Sequence, residues 1–435
     1  MSQNSLTLPT TGTVSGLQMA QDTNLALDTL NTLSSGASAP GSPEAGQLWH
    51  DTTNNILKLR SLDNTNWIPL FYVNESSYLA GPPSLGQISA GANRILNGGM
   101  QWDQFNEGAS YSVTTGSPIY TTDQWIAALS TTGASGVTAQ QSTDAPAGFV
   151  NSLKMTVGTG GAVASGDYCL ISQKIEGNVV NDLAFGTSSA SLLSLSFWVK
   201  SSVTGTFAYS LLNSAESRVL VNKFTIGSAN TWTQIVVPNI PGDITGTWLT
   251  GTSVGLQLFI CVACGSTYQS STLGSWQAGP FFSTTSQTNT VLTTSSATFQ
   301  LTGVMLNAGA FCSPFDKRLP QSELASLERY FEKSFPQGTN VSQSGGTSGI
   351  LLYQMPTGAT GAFGVNGAFR TPKRATPTIT TYNPSAANAN WFDYTNSASR
   401  TVSVGNTSDK NTNISGASGA AASTNGIHFT ASARM

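Results

Sequence analysis

Between residues 94 and 316, short apolar runs alternate with turns rich in glycine, serine and threonine, without helical spacing between them. Such runs occur at 195–200, 207–212, 232–237, 254–264 and 299–305. Each run has the length of one strand, and many short strands in series are typical of β-sandwiches. The pattern therefore predicts a large jelly-roll-like β-sandwich, and a mainly β fold class for the chain.

Charged side chains are scarce, since Lys, Arg, Asp and Glu make up only 9% of the 435 residues. The net charge of −3 offers no cationic surface, which disfavours a nucleic-acid partner. No apolar run approaches the roughly 18 residues that a membrane helix needs, so we expect no membrane insertion. Met1–Thr13 has no Lys, no Arg and no apolar core, so we expect no secretory signal.

Residues 1–45 are predicted to form an attachment segment with one helix at about 16–34 and a linker. Met19, Ala26, Leu30 and Leu33 share one face of that helix. A lone amphipathic helix is marginal in water. We therefore expect these four residues to pack against copies of the chain or against a partner, as an anchoring or trimerisation surface.

Residues 46–80 predict a small β module, and residues 81–93 predict a linker that contains Gly81-Pro82-Pro83. Strand-like runs at 47–51, 56–60 and 67–71 are separated by turn-rich tetrads. So short a unit cannot bury a core alone, which favours self-association.

A short helix that begins at Pro320 is expected to close the sandwich domain, which we place at 94–336. Leu324, Leu327 and Phe331 form its apolar face, and Pro336 ends it. Residues 337–435 predict a second, smaller β-sandwich at the tip of the molecule. Its large apolar side chains are few for its length, which again favours an oligomer.

Motifs for nucleophilic catalysis are weak. The two histidines, His50 and His428, fall in different predicted domains, and we interpret them as ordinary strand or surface residues. Gly251–Gly255 matches the G-x-S-x-G pattern, but a strand is predicted after Ser253 where a nucleophile elbow needs a helix. We therefore expect a glycine-rich turn at this position.

Cys261 and Cys264 have C-x-x-C spacing, but residues three apart on a strand face opposite sides. Zinc also needs two further ligands, and Cys169 and Cys312 do not form a second pair, so no metal site is expected. We interpret the C-x-x-C residues as buried small apolar groups. No phosphate-binding glycine motif is complete, and no cofactor is expected.

Cleavage of a glycosidic bond requires two carboxyl groups roughly 5–9.5 Å apart. The acids of the sandwich region that could converge are Asp103, Glu107, Asp123, Asp144, Asp167 and Glu176. Because carboxylates are sparse, we interpret these acids as loop residues and caps, and we expect no enzyme. A polysaccharide-cleaving enzyme that uses Asp103 or Asp123 stays open as an alternative.

Aromatic residues within polar loops can stack on sugar rings while neighbouring amides bond sugar hydroxyls. Trp391 and Tyr394 lie in such an asparagine-rich stretch, and Arg370 and Lys373 could pair with phosphate or uronate groups. These four residues are the predicted carbohydrate-binding site. The alternative is that the aromatic residues belong to a core or to a subunit interface.

Several segments follow one another in a characteristic order over about 300 residues. They lie at 8–12 with the following helix, 43–53, 93–100, 121–125, 195–200, 240–248, 301–306 and 314–331. In this order they resemble the attachment region, small β module and jelly roll of tailed-bacteriophage tail fibres and related virion fibres. Residues 369–379 are similar to the start of a fibre-tip domain.

The resemblance implies a homotrimeric adhesin of the virion, made in the host cytoplasm and without catalytic residues. Its N-terminus would dock on phage tail, neck or baseplate proteins, and its C-terminal domain would bind host surface polysaccharide or lipopolysaccharide. The chain lacks a long repetitive shaft, so the implied fibre is short. A capsid or neck fibre with the same modules and a tailspike depolymerase are the alternatives.

Overall fold

The computed structural model describes residues 12–31, 34–74, 79–81, 93–310, 312–419 and 421–435. The chain forms two compact units, Met1–Ile88 with Phe311–Pro314 and Ser89–Ala310 with Phe315–Met435. Strands far outnumber helices among the described residues, which confirms the predicted mainly β class.

The first unit contains one helix and a four-stranded antiparallel sheet. Its elements are α1 (Gly16–Asn31), β1 (Leu48–Asp51), β2 (Ile56–Arg60), β3 (Trp67–Asn74) and β4 (Leu79–Gly81), and the strands pair in chain order. Ser15 Oγ accepts a hydrogen bond from the Gln18 N–H at 3.1 Å and so caps the helix. Asp51 stabilises the first hairpin, since Lys58 Nζ donates to its carboxylate at 2.7 Å.

The second unit begins with the strands of the sandwich and the short helices that connect them. In chain order they are β5 (Tyr111–Ser112), β6 (Ile119–Tyr120), β7 (Trp125–Ser130), β8 (Thr138–Ser142), β9 (Ser152–Thr156), β10 (Tyr168–Glu176), α2 (Gly177–Val180), β11 (Leu193–Ser201), β12 (Gly205–Leu212), β13 (Arg218–Ile226), β14 (Thr233–Ile240), β15 (Val254–Cys264), β16 (Gln269–Ser270), β17 (Trp276–Ala278), β18 (Ser283–Thr284), α3 (Thr290–Thr293) and β19 (Thr298–Ala308).

These strands form two large sheets that pack face to face. One has the order β17-β13-β12-β15-β10-β7-β6, and the other has the order β14-β11-β19-β9-β8-β5. Alternate residues of both sheets enter a common core whose largest members include Trp125, Phe197, Phe207 and Phe299, all fully buried. The jelly-roll-like sandwich predicted from the spacing of apolar runs is therefore confirmed.

The closing helix is shorter than predicted. α4 spans Pro320–Glu328, so it begins at the expected proline but ends before Phe331. Phe331 instead opens β20 (Phe331–Lys333), which pairs with the last strand, β28 (Thr424–Ser432). The helical assignment of Phe331 is wrong because this distant strand supplies backbone hydrogen bonds that the local apolar pattern does not encode.

The C-terminal module, which we define as β20–β28, is a small two-sheet structure. Its other strands are β21 (Leu351–Gln354), β22 (Gly361–Ala368), β23 (Thr378–Tyr382), β24 (Trp391–Asp393), β25 (Ala398–Arg400), β26 (Val402–Gly405) and β27 (Asn411–Gly419). β28 is central, because it pairs with β20, β21, β23 and β24, while β22, β27 and β26 form the second sheet. The module and the sandwich belong to the same compact unit.

Candidate functional site

The outer faces of the two sandwich sheets differ. The outer face of the seven-stranded sheet carries an apolar cluster that includes Leu170, Val221 and Phe259. The chain between β15 and α3 covers this cluster, with Phe282 buried in it and Tyr268 packed against it. This face is therefore closed by the protein itself.

The outer face of the six-stranded sheet is mostly polar and only partly covered, since Gln300 and Thr302 are buried while other outward residues reach solvent. Trp198 and Lys200 on β11 alternate with core residues, and Trp198 lies opposite Gln234 on β14 and Thr302 on β19. Lys200 lies opposite Gln300 on β19. Cross-strand neighbours on one face of a sheet are close enough to contact one ligand together.

Three half-buried aromatic residues lie on this face: Trp198 on β11, Trp232 directly before β14 and Phe149 in the loop before β9. We call the set formed by these rings and their polar neighbours the aromatic face: Phe149, Trp198, Trp232, Asp144, Lys200 and Gln300. Beside it, the side chain of Val150 is 65% exposed and that of Val236 is 54% exposed. Apolar side chains on and beside the aromatic face are therefore exposed to solvent.

Asp144 organises the polar half of the aromatic face. It forms an ion pair with Lys200, and it accepts hydrogen bonds from Gln300 Nε2 at 3.2 Å and from Trp232 Nε1 at 3.3 Å. The hydrogen bond from Lys200 holds the pKa of Asp144 below its usual value. The Lys200 ammonium also lies 5.3 Å from the centre of the Trp232 ring, which is cation–π distance. These contacts fix the orientation of the Trp232 ring.

A glycine bulge lets the other two rings, Phe149 and Trp198, pack close to the backbone of β19. Gly303 has φ +62°, next to an irregularity in the pairing of β11 with β19. A Cβ at Gly303 would lie 2.7 Å from Phe149 Cζ and 2.9 Å from Trp198 Cδ1. Only glycine combines this backbone conformation with this close approach.

We expect Gly303→Ala to displace Phe149 and Trp198 and to lower the free energy of unfolding by about 1–3 kcal/mol, the usual cost of overpacking. Urea unfolding measures this loss. Gly274→Ala is the matched control, because Gly274 also has positive φ while nothing lies closer than 3.9 Å to its added Cβ. Equal losses in both variants would show that crowding of the rings contributes nothing.

The aromatic face has the chemical groups that recognise sugars. The apolar C–H face of a pyranose ring packs on an aromatic ring, while its hydroxyls need donors and acceptors at the rim. Trp198 and Trp232 supply apolar rings, and Asp144 and Lys200 supply charged hydrogen-bonding groups.

The carbohydrate site predicted in the C-terminal module has a different environment. Trp391 is fully buried in the core of the module, with its ring centre 5.1 Å from that of Phe363. Lys373 is also fully enclosed, and its Nζ donates to Glu332 at 2.6 Å and to the Glu328 carbonyl at 2.6 Å. A sugar could reach either side chain only if this core opened.

Arg370 is exposed and Tyr394 is half-buried. Neither forms an open site together with the buried Trp391 and Lys373. Arg370 has a side chain that is 57% exposed, and its Nη1 donates to Glu328 at 3.0 Å. Tyr394 is half-buried, and burial raises the pKa of its hydroxyl. Trp391 is therefore a core residue, which agrees with the alternative that the aromatic residues of this stretch belong to a core or an interface.

Three of the four predicted anchoring residues, Met19, Ala26 and Leu30, lie on α1. Met19 and Leu30 are exposed and Ala26 is half-buried, so the apolar face of the helix is open in the isolated chain. Leu33 lies outside the described residues. Among the described helices, none is long and apolar enough to cross a membrane.

The acids considered for glycan cleavage hold parts of the second unit together. Asp123 lies 3.4 Å from Arg434, and Glu107 forms an ion pair with the fully buried Lys333 of the C-terminal module. Asp103 is 4% exposed and accepts hydrogen bonds from its own loop.

Two further acids have structural contacts of the same kind. Asp167 accepts hydrogen bonds from Thr132 and Ala164 in neighbouring loops. The Glu176 carboxylate joins β10 to the end of α4, because Arg329 and Tyr330 both donate to it at 2.6 Å. Asp144 alone of the six belongs to the aromatic face.

The histidine and serine motifs occupy ordinary structural positions. Ser253 is followed directly by β15, so the prediction of a turn before a strand is confirmed. His428 is fully buried on β28, with its Nδ1 2.9 Å from Ser334 Oγ and its Nε2 3.0 Å from the Gly346 carbonyl oxygen. His50 is half-buried on β1.

The C-x-x-C pair is buried as predicted, but its two residues do not face opposite sides. Leu170 pairs with Cys261 and Cys169 pairs with Ala263, so Val262 is an extra residue in a β-bulge. The bulge reverses the alternation and places Cys261 and Cys264 in the same apolar cluster. Among the described residues, no three His, Cys, Asp or Glu side chains are grouped to hold a metal ion.

No protein-family model matches the chain, and no curated protein sequence matches it. Among solved structures, it is similar to the enzymatically active domain of tailspike protein 4 from bacteriophage CBA120, with 15% identity and a TM-score of 0.27. That match covers 51% of this chain and only 22% of the tailspike chain.

Two carbohydrate-binding modules are also similar. The family 11 module from Clostridium thermocellum, in complex with a β-1,3-1,4-mixed-linked tetrasaccharide, has 14% identity and a TM-score of 0.24, and the match covers 46% of this chain and 96% of that one. The xylan-binding domain of Xyn10C from Paenibacillus barcinonensis has 12% identity and a TM-score of 0.21, with 47% and 95% covered. At these values the likenesses carry no conclusion about function.

Proposed function

We propose that this protein is a virion fibre protein that attaches a phage to a bacterial surface by binding a glycan through the aromatic face. The observation that carries the proposal is the contrast between the two sheets. One outer face is covered by the chain itself, while the other presents three half-buried aromatic rings beside an ion pair.

The virion part of the proposal rests on the ordered resemblance to tail-fibre segments. It includes a short homotrimeric fibre, with α1 as the anchoring or trimerisation element. The exposed apolar side chains of Met19 and Leu30 support a role for that helix in association. Three weak glycan sites in one trimer would reach useful avidity without a tight single contact.

The proposed site lies on the sandwich and not on the C-terminal module. Trp198 and Trp232 take the role that the sequence assigned to Trp391 and Tyr394, because a sugar needs an accessible ring and Trp391 is fully buried. The proposal is binding without cleavage. All six acids weighed for catalysis already have structural partners.

The test measures binding of the full-length protein to capsular polysaccharides and lipopolysaccharides isolated from a panel of bacteria. Because central tryptophans dominate binding surfaces, we expect Trp198→Ala and Trp232→Ala each to weaken binding about tenfold, and the double variant to abolish it. Trp248→Ala is the control, since Trp248 is also a half-buried tryptophan but lies outside the aromatic face.

Polymer length is measured on the same samples. Binding with unchanged polymer length supports the adhesin, whereas shortened polymer would make the protein a depolymerase. If the double variant binds as well as the wild type, the aromatic face is not the receptor site.

A further inference from the structure

A cleft that shares no residue with the aromatic face lies beside β10 of the seven-stranded sheet. It has a volume of about 400 Å³ and is bounded by β10, by the segment before Ile95 and by the end of α4. Four of its thirteen lining residues are Arg or Lys, whereas the whole chain has only 18 in 435 residues. The cleft therefore concentrates a type of charge that the rest of the protein avoids.

The one acid that lines the cleft is already neutralised. Arg329 donates to Glu176 through Nε at 2.9 Å and through Nη2 at 2.6 Å, and Tyr330 donates to the same carboxylate. Burial would raise the pKa of Glu176, but these hydrogen bonds outweigh burial and hold it below its usual value. Glu176 therefore stays ionised and balances Arg329, not the other cations.

Two of the other cations are held in place by the protein. Arg94 Nη1 donates to the Val179 carbonyl at 2.8 Å, and its Nη2 pairs with Asp182, whose side chain is 51% exposed. Arg318 Nη1 donates to Glu323 at 3.1 Å. Both guanidinium groups are fixed at the cleft, so a ligand would not have to order them.

Lys174 is the fourth cation. It is half-buried on β10, and among the described residues its ammonium has no hydrogen bond and no ion pair. The other three cations of the cleft each have a carboxylate partner, so Lys174 carries the charge that is left unpaired. An anionic group beside Lys174 would give this ammonium the partner that it lacks.

We propose that this cleft binds the carboxylate or phosphate group of an acidic sugar. The inference rests on the proposed glycan-binding function and deepens it, since it makes the receptor an acidic polysaccharide that contacts the protein at two places. The volume is within the usual range for small-ligand sites.

The test titrates the full-length protein, at low ionic strength, with two pairs of probes. The first pair is digalacturonate and its neutral dimethyl ester, and the second is mannose 6-phosphate and mannose. We expect at least one anion to bind about tenfold or more tightly than its neutral counterpart, and added salt to weaken it. The probe that binds identifies a carboxylate or a phosphate as the recognised group.

Variants of Lys174 assign the binding to the cleft. Lys174→Gln should weaken anion binding about three- to tenfold, since exposed charge pairs at a ligand site are worth about 1 kcal/mol, and Lys174→Arg should retain it. Lys223→Gln removes one exposed positive charge elsewhere on the sandwich and should bind like the wild type. Equal binding of anionic and neutral probes, or an unaffected Lys174→Gln variant, overturns the proposal.

This inference and the proposed function fail in different ways. If Trp198→Ala abolishes polysaccharide binding while Lys174→Gln changes nothing, the aromatic face stands and the acidic-sugar cleft is wrong. If Lys174→Gln weakens anion binding while the aromatic variants bind polysaccharide normally, the cleft stands and the role of the aromatic face is wrong.

Discussion

Replacing Trp391 with alanine should lower the free energy of unfolding of the second unit by about 3–5 kcal/mol, the range for removing a buried tryptophan. Trp391 is fully buried, and it packs with Phe363, Ile414, Ile427 and Phe429 in the small core of the C-terminal module. Because this core contains few large side chains, removal of the Trp391 ring should leave a cavity. Urea unfolding of the full-length chain measures the loss.

Phe392→Ala is the matched control, because Phe392 is the next residue on β24 and is only half-buried. It should cost much less than Trp391→Ala. If Trp391→Ala instead leaves stability unchanged but abolishes glycan binding, the ring is a ligand-binding residue, as the sequence suggested, and not a core residue.

Replacing Asp103 with asparagine should make the protein less sensitive to pH. Burial, with repulsion from Asp123 and Glu107, raises the pKa of Asp103 to about 7 from a normal value of 3.8. Between these values the folded protein keeps a proton that the unfolded chain has lost. The protonated carboxyl group therefore stabilises the fold fully below about pH 4, and this contribution disappears as the pH rises through 7.

A difference of about three pKa units corresponds to about 4 kcal/mol. We therefore expect Asp103→Asn to gain up to about this much relative to the wild type as the pH rises from 4 to 8. Urea unfolding at a series of pH values measures the change.

Asp144→Asn is the control for the pH experiment. The pKa of Asp144 is lowered, chiefly by its hydrogen bond from Lys200, so its contribution to stability is lost only when the pH falls below about 4. The stability difference between this variant and the wild type should therefore stay constant from pH 5 to pH 8. A similar constant difference for Asp103→Asn would mean that Asp103 has an ordinary pKa.

The outward orientation of two residues of the aromatic face could have been predicted from the sequence. In the run Phe197-Trp198-Val199-Lys200, a period of two sends Phe197 and Val199 to the core, so Trp198 and Lys200 must face outwards. An outward tryptophan beside an outward lysine is a signal for a binding surface. The sequence could not say whether that face would be open or covered.

Other features of the structure depend on contacts between distant parts of the chain. Trp391 lies in an asparagine-rich stretch that resembles an exposed loop, but pairing of β24 with β28 carries it into the core. Phe331 has helical spacing to Leu327, but the same strand β28 recruits it. One extra residue at Val262 brings Cys261 and Cys264 to one side.

The mainly β class, the sandwich, the start of the closing helix and the β structure of the C-terminal region could be predicted from the sequence, because periodicity and turn residues act over a few positions. Only the folded chain shows which sheet face is less covered, which aromatic rings reach solvent and which cations line one cleft. These outcomes depend on strand partners far apart in the chain and on a loop that covers one sheet. A polar stretch therefore contains a core tryptophan, while the half-buried rings of the aromatic face belong to the sandwich.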